Sequence, residues 1–209
     1  MTTALRQHAQ SRRETMTAYA QLADLKLTLK IAPSDTGDDT LLQNALDNAS
    51  AIIDDFCNRT FAAEADATIY HDAVKNVDGR TLWLNGELCQ LTSVVNGDGT
   101  PIAPTAIVTQ PSYLPPYFGL VLKLSSGLIW NWEEDTENAI AVAGRWAYSV
   151  TPPLAIVQAT LRFSAWLYRQ PANALDLDRT LIIGNTTLTP ATIPSDLMAI
   201  LAPYRKKLT

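Results

Sequence analysis

The densest group of chemistry-bearing side chains in the sequence is Trp130-Asn131-Trp132-Glu133-Glu134-Asp135-Thr136-Glu137. Aromatic faces stack on sugar rings, and two carboxylates about 5–10 Å apart across a cleft hydrolyse glycosidic bonds. The simpler reading is preferred: an acidic hairpin or loop held by two aromatic anchors. His71-Asp72 and Asp54-Asp55 are the other candidates for proton transfer. Neither is accompanied by a recognisable nucleophile or orienting group, so both are read as solvated surface. Cys57 and Cys89 are far apart with no CxxC partner, and His8 and His71 lack metal-ligand spacing, so lone buried thiols are expected rather than a metal or redox centre. Phosphate loops and nucleophile elbows are missing from the sequence as well. The inventory therefore predicts no catalytic residue, no cofactor and no metal: a protein that is not an enzyme.

Binding is better represented. The chain ends in Tyr204-Arg205-Lys206-Lys207, a cationic terminus too short to be a nucleic-acid motif. Such an end suits a helix macrodipole or meets an acidic partner. Charge is unevenly spread: residues 62–150 hold 4 Lys+Arg against 10 Asp+Glu, while residues 151–209 hold 6 against 3. An acidic middle gains nothing from counterion release, so tight wrapping of DNA is not expected, although DNA can slide past a like-charged wall. Trp130, Trp132, Tyr204, Arg205, Lys206 and Lys207 are accordingly the candidates for contact with a partner.

The elements that must position these residues follow from the hydrophobic periods. The first 18 residues are polar, with Arg6, Arg12 and Arg13 but no apolar run; they predict a flexible N-terminal arm and argue against a signal peptide. Leu22, Leu25 and Leu29 give a short first helix before the loop that begins at Pro33. Asp38 and Asp39 open a second helix, whose stripe is Leu41, Leu42, Ala45, Leu46, Ala49, Ile52, Ile53 and Phe56. Beyond Phe61 the period changes to six short β-prone runs, at 68–70, 81–84, 91–95, 106–108, 120–124 and 139–142, with turn signals such as Asp78-Gly79 and Asn96-Gly97-Asp98-Gly99 between them. Pro152-Pro153 ends this region and starts a third helix to about Arg169, apolar around nearly its whole circumference and so expected to be covered on all sides, either with the sheet packed on one face or with another subunit there. Residues 171–192 read as a connection, with a short strand at 181–183. Pro194-Ser195-Asp196 opens a last helix that Pro203 kinks or shortens. The predicted class is α+β: a small bundle of about four helices, from 19–61 and 151–209, with a large antiparallel β insertion, 62–150, between the second and third. At 209 residues with 47% hydrophobic composition the chain is long enough for a real core, and no stretch has the length of a membrane span.

Three segments in this order resemble the head-to-tail connector (adaptor) proteins of long-tailed bacteriophages. The first is Leu22-Ala23-Asp24-Leu25-Lys26, then Asp38-Asp39-Thr40-Leu41-Leu42, Ala49, Ile52-Ile53 and Phe56-Cys57-Asn58-Arg59-Thr60-Phe61, where the family often has an aromatic, Thr-Gly-Arg, any residue and Phe. Cys57-Asn58 replaces its Thr-Gly. The second is Val142-Ala143-Gly144-Arg145-Trp146-Ala147-Tyr148, similar to a final strand Gly-x-Trp-Gly-Tyr before the third helix, with Ala147 in place of Gly. The third is Leu201-Ala202-Pro203-Tyr204-Arg205.

The resemblance implies a structural subunit of the virion neck, assembled in the host cytoplasm. About twelve copies would form a cyclic ring below the portal protein, continuing its channel towards a stopper or tail-completion protein. DNA would pass through the lumen without sequence-specific binding, and no membrane is involved. Two other classes stay open on the residues: a carbohydrate- or receptor-binding β module, which requires Trp130 and Trp132 to be exposed and central, and a glycosidase, which requires a cleft with paired carboxylates.

Overall fold

A computed structural model describes residues 18–63, 65–169, 181–183, 186–188 and 194–206. The N-terminal arm, most of the 171–192 connection and Lys207 lie outside the described residues. The chain divides into two compact units, Met1–Asn58 with Leu154–Thr209, and Arg59–Pro153. The class is the predicted one, α+β, with a strand-rich region between the second and third helices.

The first unit is built on three helices, α1 (Leu22–Leu29), α2 (Asp39–Cys57) and α3 (Leu154–Arg169), followed by the short α4 (Ser195–Leu201), which continues into a 3-10 turn at Ala202–Tyr204. Pro203 sits in that turn, where α-helical hydrogen bonding has already lapsed. Leu25, Leu42, Leu46, Leu161 and Ala165 form a common core, each buried leucine contributing about 1.5–3 kcal/mol. The stripe of α2 is narrower than its composition predicts: Leu42, Ala45, Leu46, Ala49 and Ile53 are buried, but Leu41 and Ile52 are exposed. Helix α3 is not covered all round by its own chain. Gln158 and Arg162 face water, Leu154 is exposed, and Trp166 and Leu167 are half-buried, so the helix is covered on one side only. Its buried face instead contains Thr160 and Ser164, whose hydroxyls donate to the carbonyls of Ile156 and Thr160. Asp38 caps no helix with its side chain; it accepts the Tyr168 hydroxyl at 2.6 Å, and this contact raises the Tyr168 pKa. Asp39 pairs at 2.5 Å with Lys26, an ammonium held inside by this ion pair and the Asp35 carbonyl. Two further strands, β8 (Leu181–Ile183) and β9 (Thr186–Leu188), pair as a hairpin.

The second unit is an antiparallel sheet. Its strands are β1 (Ala67–His71), β2 (Val77–Asp78), β3 (Thr81–Val95), β4 (Pro101–Ile102), β5 (Ile107–Gln110), β6 (Tyr117–Leu122) and β7 (Ile140–Trp146). They run in the order β1-β7-β3-β6-β5, with β2 and β4 also paired to β3. Here the sequence reading needs a correction: the strands expected at 81–84 and 91–95 are one fifteen-residue strand. Its first half pairs with β6 and its second with β7, and the register shifts between Trp83 and Leu88, between Leu88 and Gln90, and between Leu91 and Ser93. Such bulges let one strand bend across two neighbours. Leu82, Leu88, Val94, Leu120, Leu122, Ile140 and Val142 make the core under the sheet.

Candidate functional site

Of the pairs suggested for proton transfer, His71, Asp72 and Asp54 are engaged within the fold and Asp55 is exposed. His71 is wholly buried rather than solvated. Its Nε2 accepts the Asn85 amide at 3.2 Å, and its ring stacks on Trp146, centroids 5.9 Å apart. Burial lowers its pKa, so the neutral imidazole is a piece of the β1–β7 packing. Asp72 Oδ1 accepts the amides of Val74 and Lys75, both at 2.8 Å. Those bonds lower its pKa and close the turn after β1. Asp54 accepts the Tyr19 hydroxyl at 2.6 Å. Both cysteines are buried. Among the described residues no group of three or more His, Cys, Asp or Glu is placed to hold a metal, and no helix is long and apolar enough to cross a membrane.

The acidic segment belongs to the long β6–β7 connection, and its two tryptophans part company. Trp130 is buried in the sheet core and donates from Nε1 to the Arg80 carbonyl at 3.0 Å, so its ring is a foot, not a contact surface. Trp132 is 39% exposed. The segment is tied down by Asn96, itself buried: its amide donates to the Ile129 carbonyl at 2.9 Å, and its Oδ1 accepts the Asn131 amide at 3.0 Å. Gly97 passes so close that a Cβ there would lie 2.5 Å from the Asn131 carbonyl. In the sequence Asn96-Gly97 is a turn signal; its second duty, clamping a segment 35 positions away, has no local signature. The Ile129 side chain is exposed, and so, beyond the clamp, are Glu133, Glu134, Asp135 and Glu137. A glycosidase general acid depends on burial to raise its pKa, and these carboxylates stand in water.

The C-terminal candidates form a different surface. The Arg205 guanidinium lies 5.5 Å from the centroid of Phe56, and the Lys206 amide donates to the Cys57 carbonyl at 2.8 Å. Tyr204 is half-buried. Beside this end, α2, α3 and α4 leave an entirely apolar groove, with Ile52, Phe56 and Met198 at its mouth and Ile53, Phe163 and Leu201 at its floor.

Within the sheet unit, parts of the first two motifs that carried the resemblance meet. Asn58 ends α2 at φ 52°, the left-handed conformation that glycine, and after it asparagine, tolerates best. That explains how Asn58 serves where the family often has Gly. Arg59 follows, 3.4 Å from Glu87 and 5.0 Å from the centroid of Tyr148; Phe61 packs on the same Tyr148 ring at 5.7 Å. The amides of Tyr148 and Ser149 donate to the carbonyls of Thr60 and Phe61 at 2.8 and 3.2 Å. Within the second motif, a Cβ on Gly144 would collide with the Gln90 carbonyl and lie 2.8 Å from Leu88 Cδ1, so this glycine makes room for the bulged strand β3. Trp146 donates to the Ala67 carbonyl at 2.9 Å.

Comparison with known proteins gives the same direction. Residues 19–81 match the profile of the phage gp6-like head-tail connector protein family. No curated protein matches the sequence. Among solved structures, a chain from the neck of an empty GTA particle computed with C6 symmetry superimposes with a TM-score of 0.57 at 16% identity, over 93% of this chain and 94% of that one. A chain from the virion of a native gene transfer agent (GTA) particle gives 0.56 at 17% identity, over 91% of each. The chain thus carries the sequence pattern of the phage gp6-like head-tail connector proteins over residues 19–81 and, over nine-tenths of its length, the fold of a gene-transfer-agent particle protein.

Proposed function

We propose that this protein is a structural head-to-tail connector (adaptor) subunit of a phage-like particle, one copy in a ring that docks below the portal and extends the DNA channel to the neck or tail. The observation that carries the reading is the fold: both the helical unit and the sheet unit lie within the 93% of the chain that superimposes on a chain of a particle neck. The connector profile at residues 19–81 supports it. A ring of about twelve copies is compatible with a neck computed with C6 symmetry, since six divides twelve. The role asks for no catalysis, and it places the protein in the virion, with the portal above it and a stopper or tail-completion protein below. The rival sugar- or receptor-binding reading needed two exposed tryptophans, and Trp130 is buried.

The test is to remove the gene from the particle-producing host and supply it again from a plasmid. Electron micrographs should show DNA-filled heads without tails, and tailed particles on complementation. Normally tailed particles without the gene would overturn the proposal.

A further inference from the structure

The groove between α2, α3 and α4 and the exposed β6–β7 segment have matching chemistry. The groove is apolar throughout and encloses about 40 Å³, room for the tip of one aliphatic side chain and far less than a small-molecule site, typically some 300–1,000 Å³. At its mouth Phe56 carries the exposed cation Arg205, while the nearby acid Asp196 is already paired with Arg162. An occupant that fits must offer one protruding apolar side chain with negative charge close behind it. Ile129 is 68% exposed, and Glu133, Glu134, Asp135 and Glu137 follow it, all exposed. The Asn96 clamp holds this segment at Ile129 and Asn131, so little conformational freedom is lost on docking.

A ring requires two different, complementary patches on each subunit, because a closed cyclic contact of many copies is heterologous. We propose that the Ile129–Glu137 segment of one copy docks on the Ile52–Phe56–Met198 groove of the next, Ile129 entering the groove and the acidic run facing Arg205. This rests on the connector reading and specifies its self-contact. Apolar insertion supplies the affinity, and the charge pairing sets the direction in which copies follow one another.

The test uses assembled particles. Ile129→Cys and Met198→Cys are introduced together, the native Cys57 and Cys89 being buried, and purified particles are treated with a short bismaleimide. A ladder of covalently linked copies is expected from the double variant and not from either single one. Particles that contain the protein but give no ladder would overturn this interface and leave the connector role standing. A chain that does not co-purify with particles at all would sink the connector role, and this contact with it. A charge swap gives an independent readout: Glu133→Lys with Glu134→Lys, or Arg205→Glu, should each lower the yield of tailed particles about tenfold. Combining all three should restore most of it, with each isolated subunit melting as the wild type does. Unchanged yields in both single sets would equally refute the contact.

Discussion

Leu46 and Ile53 have no exposed surface, and an unpaired carboxylate at either place costs several kcal/mol, enough to exhaust the stability of an ordinary domain. Leu46→Asp and Ile53→Asp are therefore expected to give insoluble or unfolded protein; cooperative melting of either variant by circular dichroism would show that this face is not core. These two residues were legible from spacing alone. His71 was not, because nothing local distinguishes a histidine on the inward face of an edge strand from one in water. Its burial has a pH consequence. The folded pKa lies below the ordinary 6.5, so below that value the unfolded chain binds a proton that the folded chain refuses. Stability should fall as the pH drops from about 6.5, and this contribution levels off once the pH is below the folded pKa. Urea unfolding of His71→Gln should lose this slope; an unaltered pH profile would count against it. At Gly97, an added methyl presses on the Asn131 carbonyl, and Gly97→Ala should cost about 1–3 kcal/mol, checked by the same unfolding measurement.

Among elements, the long helix α2 was readable because its 3.6-residue period survives nineteen positions. The long strand β3 was not. Its three register shifts leave Glu87, Leu88 and Cys89 consecutively buried, which erases the two-residue alternation that announces a strand. Helix α3 was readable as a helix but not in its faces, since Trp166, Leu167 and Tyr168 look like core residues yet remain half-exposed in the single chain. Arg59 and Tyr148 belong to two separate motifs of the resemblance, and their joint structural content, a cation between Glu87 and an aromatic face, requires the fold to bring residues nearly ninety positions apart together. Breaking a buried ion pair from one side costs about 3–5 kcal/mol. Arg59→Met should therefore destabilise the protein markedly, while Arg59→Met with Glu87→Leu recovers most of the loss. Equal denaturation midpoints for the single and double variants would contradict this account.

For the whole molecule, the net charge of −5 and the exposed acids of the sheet unit predict weak attraction to duplex DNA. At about 0.1 M salt, where charges separated by more than some 10 Å are screened, a mobility-shift assay should detect no complex at micromolar protein. A tight, salt-sensitive complex would mean that the charge map has been misread. Along the sequence the hydrophobic period switches at Phe61 and back at Pro152. What the periods could not reveal is the stitching of Thr60 and Phe61 to Tyr148 and Ser149. A segment whose two ends are a hydrogen bond apart makes almost no demand on the polymer that hosts it: the host sees a staple, whatever lies beyond. Residues 59–153 are in that sense a graft. They are expected to fold when expressed alone, with dispersed amide resonances by NMR, and a foreign sheet with equally close ends should be accepted at the same junction. Trading the graft would then change what the sheet unit presents and leave the helical stock as it is.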